Sequence, residues 1–215
     1  MVRVKVCGHT RRSDVEESVQ AGVDAVGVVV DVPVETPRAV SPETAADLLS
    51  SVPPFVTGVL VTIQERALDV LDLVETVGPD AVQVHAGLSQ SELQTLARDV
   101  PIPLIVGTDV GERDRIQDLA AVADAILLDS RDERGGGGTG RRTDWESARE
   151  IARSIDVPLV LAGGLDPDNV ASAIDRVDPY GVDVASGVEA DGGIKDPQAV
   201  RAFLDRATGG VRVSS

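Results

Sequence analysis

The feature that most constrains the fold is a repeated alternation, in eight rounds, of a short apolar run and a longer amphipathic stretch. The apolar runs are rich in Val, Ile, Leu and Ala and show no regular alternation with polar residues. This is typical of strands that are buried on both faces of a parallel sheet. Strands are predicted at residues 2–6, 25–30, 56–61, 81–84, 104–106, 125–128, 159–161 and 182–185.

Strands that alternate with helices form a parallel sheet, which is either open and doubly wound or closed as a barrel. Eight rounds in 215 residues leave about 27 residues for each round, which fits a compact barrel. The first strand is not followed by G-x-G-x-x-G, the glycine pattern of open dinucleotide-binding folds. We therefore predict an α/β fold, a single-domain (β/α)8 TIM barrel over residues 1–207, with a disordered tail over residues 208–215.

Helix-start signals follow most of the predicted strands. Oxygens of Ser, Thr and Asp side chains can accept hydrogen bonds from the free N–H groups of a first helical turn. The spacing predicts capping boxes and cap-proline pairs at Ser13/Glu16, Thr62/Glu65, Ser89/Glu92, Thr143/Glu146, Ser41-Pro42, Asp166-Pro167 and Asp196-Pro197.

The composition excludes several classes of partner. With 36 acidic and 20 basic residues the net charge is -16, so no nucleic acid is expected, because phosphate backbones require a basic surface. No apolar run approaches the length of a membrane span, so no membrane is expected either. A single cysteine and an N-terminus unlike a secretory signal predict a cytoplasmic protein. Lys5 and Lys195 are the only lysines, and such an acid-rich, lysine-poor chain is expected from a salt-adapted organism.

In (β/α)8 barrels the active site lies at the carboxyl ends of the strands. Cys7 ends the first strand and is either reactive or a small buried side chain. Asp129 closes an apolar strand, where burial favours a protonated carboxyl that can donate a proton; otherwise it is a loop or capping carboxylate. Gln83, His85 and Asp183 lie at other strand ends and are candidates for substrate binding.

Gly163-Gly164 and Ser186-Gly187 follow the last two strands. Bare backbone N–H groups and a helix N-terminus at this place bind anions in such barrels, so we predict a phosphate site there rather than ordinary turns. The glycine run 135–138 is either a lid or a flexible tip. His9 and His85 have no partners at ligand spacing, so no metal site is predicted, and both are expected to be hydrogen-bonding residues of the rim.

Over essentially the whole chain, a series of short segments resembles the phosphoribosylanthranilate isomerase family of tryptophan biosynthesis. The segments are K-V-C-G-H-T at 5–10, T-P-R at 36–38, V-Q-V-H at 82–85, G-G-T-G at 137–140, D-W at 144–145, L-A-G-G-L at 161–165, G-V-D-V at 181–184, S-G-V-E at 186–189 and G-I-K-D-P at 193–197. Their order and spacing, more than any one segment, carry the resemblance.

The resemblance implies an Amadori rearrangement of N-(5-phosphoribosyl)anthranilate to 1-(2-carboxyphenylamino)-1-deoxyribulose 5-phosphate, without a metal or organic cofactor. It implies that Asp129 is the general acid at the ribose ring oxygen and that Cys7, as a thiolate, removes the C2 proton. Arg38 would bind the anthranilate carboxylate, and Asp183 would line the pocket. Gly164 and Ser186-Gly187 would hold the phosphate. The expected partner is therefore a small-molecule phosphoribosyl substrate, bound by a monomer or a homodimer.

The chain departs from the family pattern in three places. It has V-V-D-V-P at 29–33 where the family has an aromatic-rich segment, Ala86 for a glycine and Ala185 for a serine.

Two other functions stay open. A related phosphosugar isomerase or epimerase barrel, including the bifunctional type that also processes a histidine-pathway intermediate, typically has carboxylates on strands one and five, where this chain has Cys7 and Gly107-Thr108. The second alternative is a catalytically silent barrel that binds a phosphorylated ligand. The presence of both the acid and the base argues against it.

Because the net charge is -16, we predict that salt stabilises the fold. Raising KCl from about 10 mM to about 1 M shortens the screening length from about 30 Å to about 3 Å and removes most of the self-repulsion. The melting temperature, followed by circular dichroism, should rise by at least about 5 °C, which for a chain of this size corresponds to roughly 1–2 kcal/mol. An unchanged or lower melting temperature in KCl would contradict the salt-adapted interpretation.

Overall fold

Parallel strands close into an eight-stranded barrel in the computed structural model, which describes residues 1–85, 87–129 and 144–209. The described strands of this sheet are β1 (Arg3–Cys7), β2 (Ala25–Val30), β3 (Ala39–Val40), β4 (Thr57–Thr62), β5 (Ala81–His85), β6 (Leu104–Thr108), β7 (Ala125–Leu128), β8 (Leu159–Leu161) and β9 (Gly181–Val184). Strand β1 pairs with β2 on one side and β9 on the other, which closes the barrel, while the short β3 only extends the edge of β2.

One helix follows each barrel strand in the described part of the chain. The helices are α1 (Arg12–Ala21), α2 (Pro42–Ser50), α3 (Ala67–Val77), α4 (Gln90–Asp99), α5 (Arg113–Ala120), α6 (Trp145–Ser154), α7 (Val170–Val177) and α8 (Pro197–Thr208). A 3-10 turn (Ser186–Val188) and an antiparallel hairpin, β10 (Glu189–Asp191) with β11 (Ile194–Lys195), intervene between β9 and α8. The predicted single-domain (β/α)8 barrel is confirmed.

Helix α8 ends at Thr208, and Gly209 caps it in a left-handed conformation with φ of 69°. The rest of the predicted tail, residues 210–215, and the predicted lid at 135–138 lie outside the described residues. Among the described helices, none is long and apolar enough to cross a membrane.

The two faces of each barrel strand are buried in different surroundings, which explains the nearly continuous apolar runs. On β1, Val4 and Val6 are fully buried in the main core cluster, which also contains the buried helix residues. Cys7 belongs instead to a second cluster of mostly small side chains, formed with Val59, Val61 and Ala81. Because these inner side chains are small, the barrel interior has room for polar groups beside Cys7.

The predicted helix caps Ser41, Ser89 and Asp196 are confirmed, since each side chain accepts a hydrogen bond from a backbone N–H group of the first helical turn. Thr143 lies outside the described residues, and the side chain that caps α6 is Asp144.

Three of the predicted caps are wrong. Thr62 is the last residue of β4, where pairing with β5 outweighs the local capping signal, and Ser13 lies inside α1. Asp166 does bind backbone N–H groups, but those of the loop residues Asp168 and Asn169, ahead of α7.

The cap of α8 provides a stability test, because the Asp196 carboxylate accepts hydrogen bonds from Gln198 N (2.8 Å) and Ala199 N (3.4 Å). Asp196→Ala should lower the free energy of unfolding by about 1 kcal/mol, measured by urea denaturation. The matched control is Asp205→Ala, an exposed position in the same helix, which should change it by less than about 0.5 kcal/mol. Equal effects of the two changes would contradict the capping role.

Candidate active site

A cavity opens at the carboxyl ends of the barrel strands and brings most of the predicted site residues together. Those that line it are Cys7, Arg38, Gln83, His85, Asp129, Gly163, Gly164, Asp183 and Ser186. Apolar side chains form much of the remaining wall, including Val29, Val32, Val34, Val61 and Ile63. Of the predicted site residues, only Gly187 does not line the cavity.

Cys7 lies at the end of β1, in register with Gly27 on β2. A Cβ atom on Gly27 would lie 2.8 Å from Cys7 Sγ and 3.2 Å from Lys5 Nζ, so the glycine leaves the space that both side chains occupy. Gly8, with φ of 79°, turns the backbone out of the barrel directly after Cys7. The thiol is therefore placed inside the barrel, at the floor of the cavity.

Lys5 and Asp183 form a buried ion pair beside Cys7. They occupy paired positions on the neighbouring strands β1 and β9, and Lys5 Nζ lies 3.0 Å from Asp183 Oδ1. Burial raises the pKa of the Cys7 thiol above its usual value, whereas the ammonium groups of Lys5 and Lys195 act in the opposite direction. Of the two, Lys5 acts more strongly, and it can therefore stabilise a Cys7 thiolate.

A second buried charge cluster joins Arg38, Glu189 and Lys195. Arg38 Nε and Nη2 donate to the two carboxylate oxygens of Glu189, at 2.8 and 2.7 Å. Lys195 Nζ donates to Glu189 Oε1 at 2.8 Å and to the backbone carbonyl of Cys7 at 2.5 Å. Burial alone would raise the pKa of Glu189, but the hydrogen bonds from both cations outweigh it, so the pKa is lowered. Glu189 is therefore a carboxylate at neutral pH.

Asp129 follows β7 directly, and its backbone N–H donates to the carbonyl of Thr108 at 3.0 Å. This bond continues the ladder between β6 and β7 by one residue and holds Asp129 at the cavity wall. Nearby on β5, Gln83 Nε2 lies 2.8 Å from His85 Nε2. The His85 ring fits against β6 because the facing residue is Gly107, whose Cβ would lie 2.6 Å from His85 Nδ1.

Gly163 and Gly164 both have left-handed conformations, with φ of 85° and 63°. The Gly164 carbonyl accepts a hydrogen bond from Asn169 Nδ2 at 2.9 Å, which fixes this turn ahead of α7. Gly187 contributes indirectly, because a Cβ atom there would collide with the carbonyl of Leu165. The loops after β8 and β9 therefore touch, and Ser186 lies beside the two glycines at the cavity edge.

His9 differs from its predicted position at the rim. It is completely buried behind β1, where Nε2 lies 2.9 Å from Ser18 Oγ, and burial lowers its pKa to about 3. The apolar packing of α1 against the strand covers the imidazole, so it is a neutral structural group. Within the described ranges, no cluster of three or more His, Cys, Asp or Glu side chains is arranged to hold a metal ion.

Comparisons with known proteins identify the family of the chain. The family model for N-(5'-phosphoribosyl)anthranilate isomerase matches residues 4–206. Isomerases of that name from Natronomonas pharaonis and Halobacterium salinarum are 51% and 53% identical, each over 97% of this chain and over 99% and 96% of the relative. The chain belongs to this family. Both organisms are halophilic archaea, in agreement with the expected salt-adapted source.

Solved structures of the family have the same architecture. The phosphoribosylanthranilate isomerase of Thermotoga maritima superposes with a TM-score of 0.83 at 37% identity, covering 97% of this chain and all of that one. Another family structure, a complex with reduced 1-(o-carboxyphenylamino)-1-deoxyribulose 5-phosphate, has a TM-score of 0.82 at 35% identity, with the same coverage.

No sequence motif by itself assigns a role to Lys5, Glu189 or Lys195. The available signal was that the chain has only two lysines and that both lie in segments resembling the family. Lys5 is also the one charged residue between buried valines of β1. A charge in the middle of an apolar strand is costly unless it is paired, which points to a partner inside the barrel.

The space beside Cys7 leads to a testable expectation for Gly27. Gly27→Ala should lower the free energy of unfolding by about 1–3 kcal/mol, because the added methyl group overpacks Cys7 and Lys5. The matched control is Gly58→Ala on β4, where the nearest atom to a new Cβ is 3.3 Å away. Urea denaturation should show a loss below about 1 kcal/mol there, and an equal loss at both positions would contradict the packing account.

Proposed function

We propose that this chain converts N-(5'-phosphoribosyl)anthranilate into 1-(2-carboxyphenylamino)-1-deoxyribulose 5-phosphate, the isomerase step of tryptophan biosynthesis. The observation that carries the proposal is that Cys7 and Asp129 line one cavity together with the glycine loop 163–164. An acid, a base and an anion-binding edge are the groups that an Amadori rearrangement of a phosphosugar requires. Family membership and the relative's complex with a reduced product support the same reaction.

The acid step is assigned to Asp129. Its protonated carboxyl gives a proton to the ribose ring oxygen, the bond from that oxygen to C1 breaks, and the lone pair of the anthranilate nitrogen forms the C1=N bond of a Schiff base. Asp129 is left as a carboxylate. Its position supports this role, because Asp129 ends an apolar strand and lines the same cavity as Cys7.

The base step is assigned to Cys7. Its thiolate removes the proton from C2, the electrons form a C1=C2 bond, and the nitrogen becomes neutral in the resulting enolamine. Tautomerisation then gives the 2-ketone. Because burial raises the pKa of the thiol, the thiolate depends on a nearby positive charge, and Lys5 supplies it. Asp183 contributes by fixing Lys5 through the 3.0 Å ion pair.

Other residues are proposed to hold the two ends of the substrate. Arg38 binds the anthranilate carboxylate through its planar guanidinium, and the aromatic ring packs on the apolar wall that includes Val29 and Val32. The phosphate binds to backbone N–H groups of Gly163, Gly164 and Ser186. Gly187 allows the loops after β8 and β9 to touch there. Gln83, His85 and Asp183 line the region between these ends.

The alternatives receive less support. In the bifunctional reading, the strand that matches β6 would end in a carboxylate, whereas the last residues of β6 are Gly107 and Thr108. A silent phospholigand-binding barrel has no need for the acid and base in one cavity.

The proposal applies to a monomer or a homodimer, because a single chain supplies every residue named. The cytoplasmic location stays a prediction.

Removal of either proton-transfer group tests the proposal. Cys7→Ala and Asp129→Asn should each lower kcat/KM for phosphoribosylanthranilate by at least about 100-fold, since each removes one positioned proton-transfer group. The loss of substrate fluorescence measures the rate, and circular dichroism checks the fold. The exposed Asp118 on α5 provides the control, because Asp118→Asn should retain full activity. Near-normal turnover by Cys7→Ala would exclude Cys7 as the base.

The pH profile tests the role of Lys5. Activity rises with pH as the Cys7 thiolate forms, so a higher thiol pKa moves this rise to higher pH. Lys5→Met removes the positive charge and leaves Asp183 beside the thiol, and both effects raise the pKa. The acidic limb of the kcat/KM profile should move up by about one pH unit or more. Lys5→Arg keeps the positive charge, so its acidic limb should lie close to that of the wild-type protein. Identical limbs for all three proteins would mean that Lys5 does not act on the thiol.

A further inference from the structure

Glu189 and Lys195 form a buried unit to which the mechanism above gives no task. Their side chains are 6% and 1% exposed, and the two residues face each other in the register of the hairpin β10–β11. Neither residue belongs to the cavity lining formed by the described part of the chain. The unit nevertheless contacts two residues of the site, because Lys195 donates to the Cys7 carbonyl and Glu189 binds Arg38.

The way in which Glu189 binds Arg38 leaves a defined part of the guanidinium for another acceptor. The guanidinium has five N–H groups in one plane. Glu189 takes the edge formed by Nε and one N–H of Nη2. The second edge, formed by Nη1 and the other N–H of Nη2, has the same spacing and also suits a planar carboxylate. Arg38 lines the cavity, so its free edge is available to a ligand there.

Lys195 makes this arrangement rigid. Its ammonium group uses three acceptors, the Cys7 carbonyl, the Ala185 carbonyl at 3.3 Å and Glu189 Oε1. Since an ammonium has three N–H donors, these three acceptors use all of them. Glu189 is also neutralised from two sides, which leaves the cluster with a net positive charge toward the cavity.

The hairpin itself is fixed over the loop that carries Arg38. A Cβ atom on Gly193, which has φ of 75°, would lie 2.5 Å from the carbonyl of Pro37. The Gly193 carbonyl accepts a hydrogen bond from Thr10 Oγ1 at 2.7 Å. Gly8 in turn accommodates the stem of Arg38, because its Cβ would lie 2.7 Å from Arg38 Cδ. The segment after Cys7 thus contacts both the hairpin and Arg38.

We propose that Glu189, held by Lys195, is a positioning residue for recognition of the substrate carboxylate. It fixes the plane of the Arg38 guanidinium, so that the free edge is held in the orientation that binds the carboxylate at the benzoate end of the substrate. The inference rests on the proposed function, in which Arg38 binds that carboxylate. Without Glu189, the flexible side chain of Arg38 would select less well for ligands that carry this carboxylate.

The test compares two ligands that differ only in the carboxylate. They are reduced 1-(2-carboxyphenylamino)-1-deoxyribulose 5-phosphate and its phenylamino counterpart, and calorimetry gives the Kd of each. Glu189→Gln keeps the size of the side chain but removes its charge. It should weaken binding of the first ligand about tenfold or more, since charge-assisted bidentate pairs are the strong ones, and of the second by less than about twofold. In turnover, KM for phosphoribosylanthranilate should rise while kcat changes less than about threefold.

Two further variants make the test decisive. Glu150→Gln is the matched control, because Glu150 pairs with Arg113 at 2.7 Å on the surface, far from this cluster, and it should change neither Kd. Glu189→Asp keeps the charge on a shorter side chain and serves for the same comparison if the amide variant does not fold. Glu189→Asp should weaken binding less than Glu189→Gln does, and again only for the ligand with the carboxylate.

Equal weakening of both ligands would overturn the inference, because Glu189 would then act on the fold of the site rather than on the carboxylate. Tighter binding of the carboxylate ligand by Glu189→Gln would also overturn it, since Glu189 would then compete with substrate for Arg38. The proposed function is tested separately by turnover in the wild-type protein. A protein that binds both ligands but does not convert phosphoribosylanthranilate would overturn the function and not the carboxylate selectivity.

Discussion

The Lys5–Asp183 ion pair inside the barrel is the interaction on which the site depends. Moving two charges out of water costs several kcal/mol for each ion, and their attraction offsets this only when the geometry is good. An apolar pair would fill the same space at lower cost. The chain keeps the charges at the floor of its catalytic cavity, next to a thiol whose burial otherwise favours the neutral form. Under the proposed function, the unfavourable desolvation serves the chemistry, because the ammonium of Lys5 stabilises the Cys7 thiolate.

Closure of the barrel brings together the residues of the ion pair. Strand β1 carries Lys5 and Cys7, and β9 carries Asp183, so the ion pair forms only when the first and last barrel strands pair. The hairpin after β9 then returns Lys195 to the Cys7 carbonyl, across most of the length of the chain. A chain in which β9 is not paired with β1 lacks both the Lys5–Asp183 ion pair and the hydrogen bond from Lys195 to the Cys7 carbonyl.

The general architecture could be predicted from sequence because it depends on local patterns. The apolar runs identify the barrel strands to within one or two residues at most ends, and the polar residues at their carboxyl ends include nearly all that line the cavity. Contacts between distant segments explain the failures. Thr62 has a good capping pattern but pairs with β5, and His9 is covered by α1. Similarly, that Gly27 faces Cys7 follows from the register of two strands, which no local pattern specifies.

A crystal structure with reduced 1-(2-carboxyphenylamino)-1-deoxyribulose 5-phosphate would test the central claim most directly. We expect Cys7 Sγ within about 3.5 Å of C2 and the Asp129 carboxyl within hydrogen-bond distance of the sugar oxygen derived from the ring. We also expect the phosphate at the loop 163–164 and the ligand carboxylate on the free edge of Arg38. A ligand bound in the reverse direction, or with water between Cys7 and C2, would contradict the assignment of Cys7 as the base.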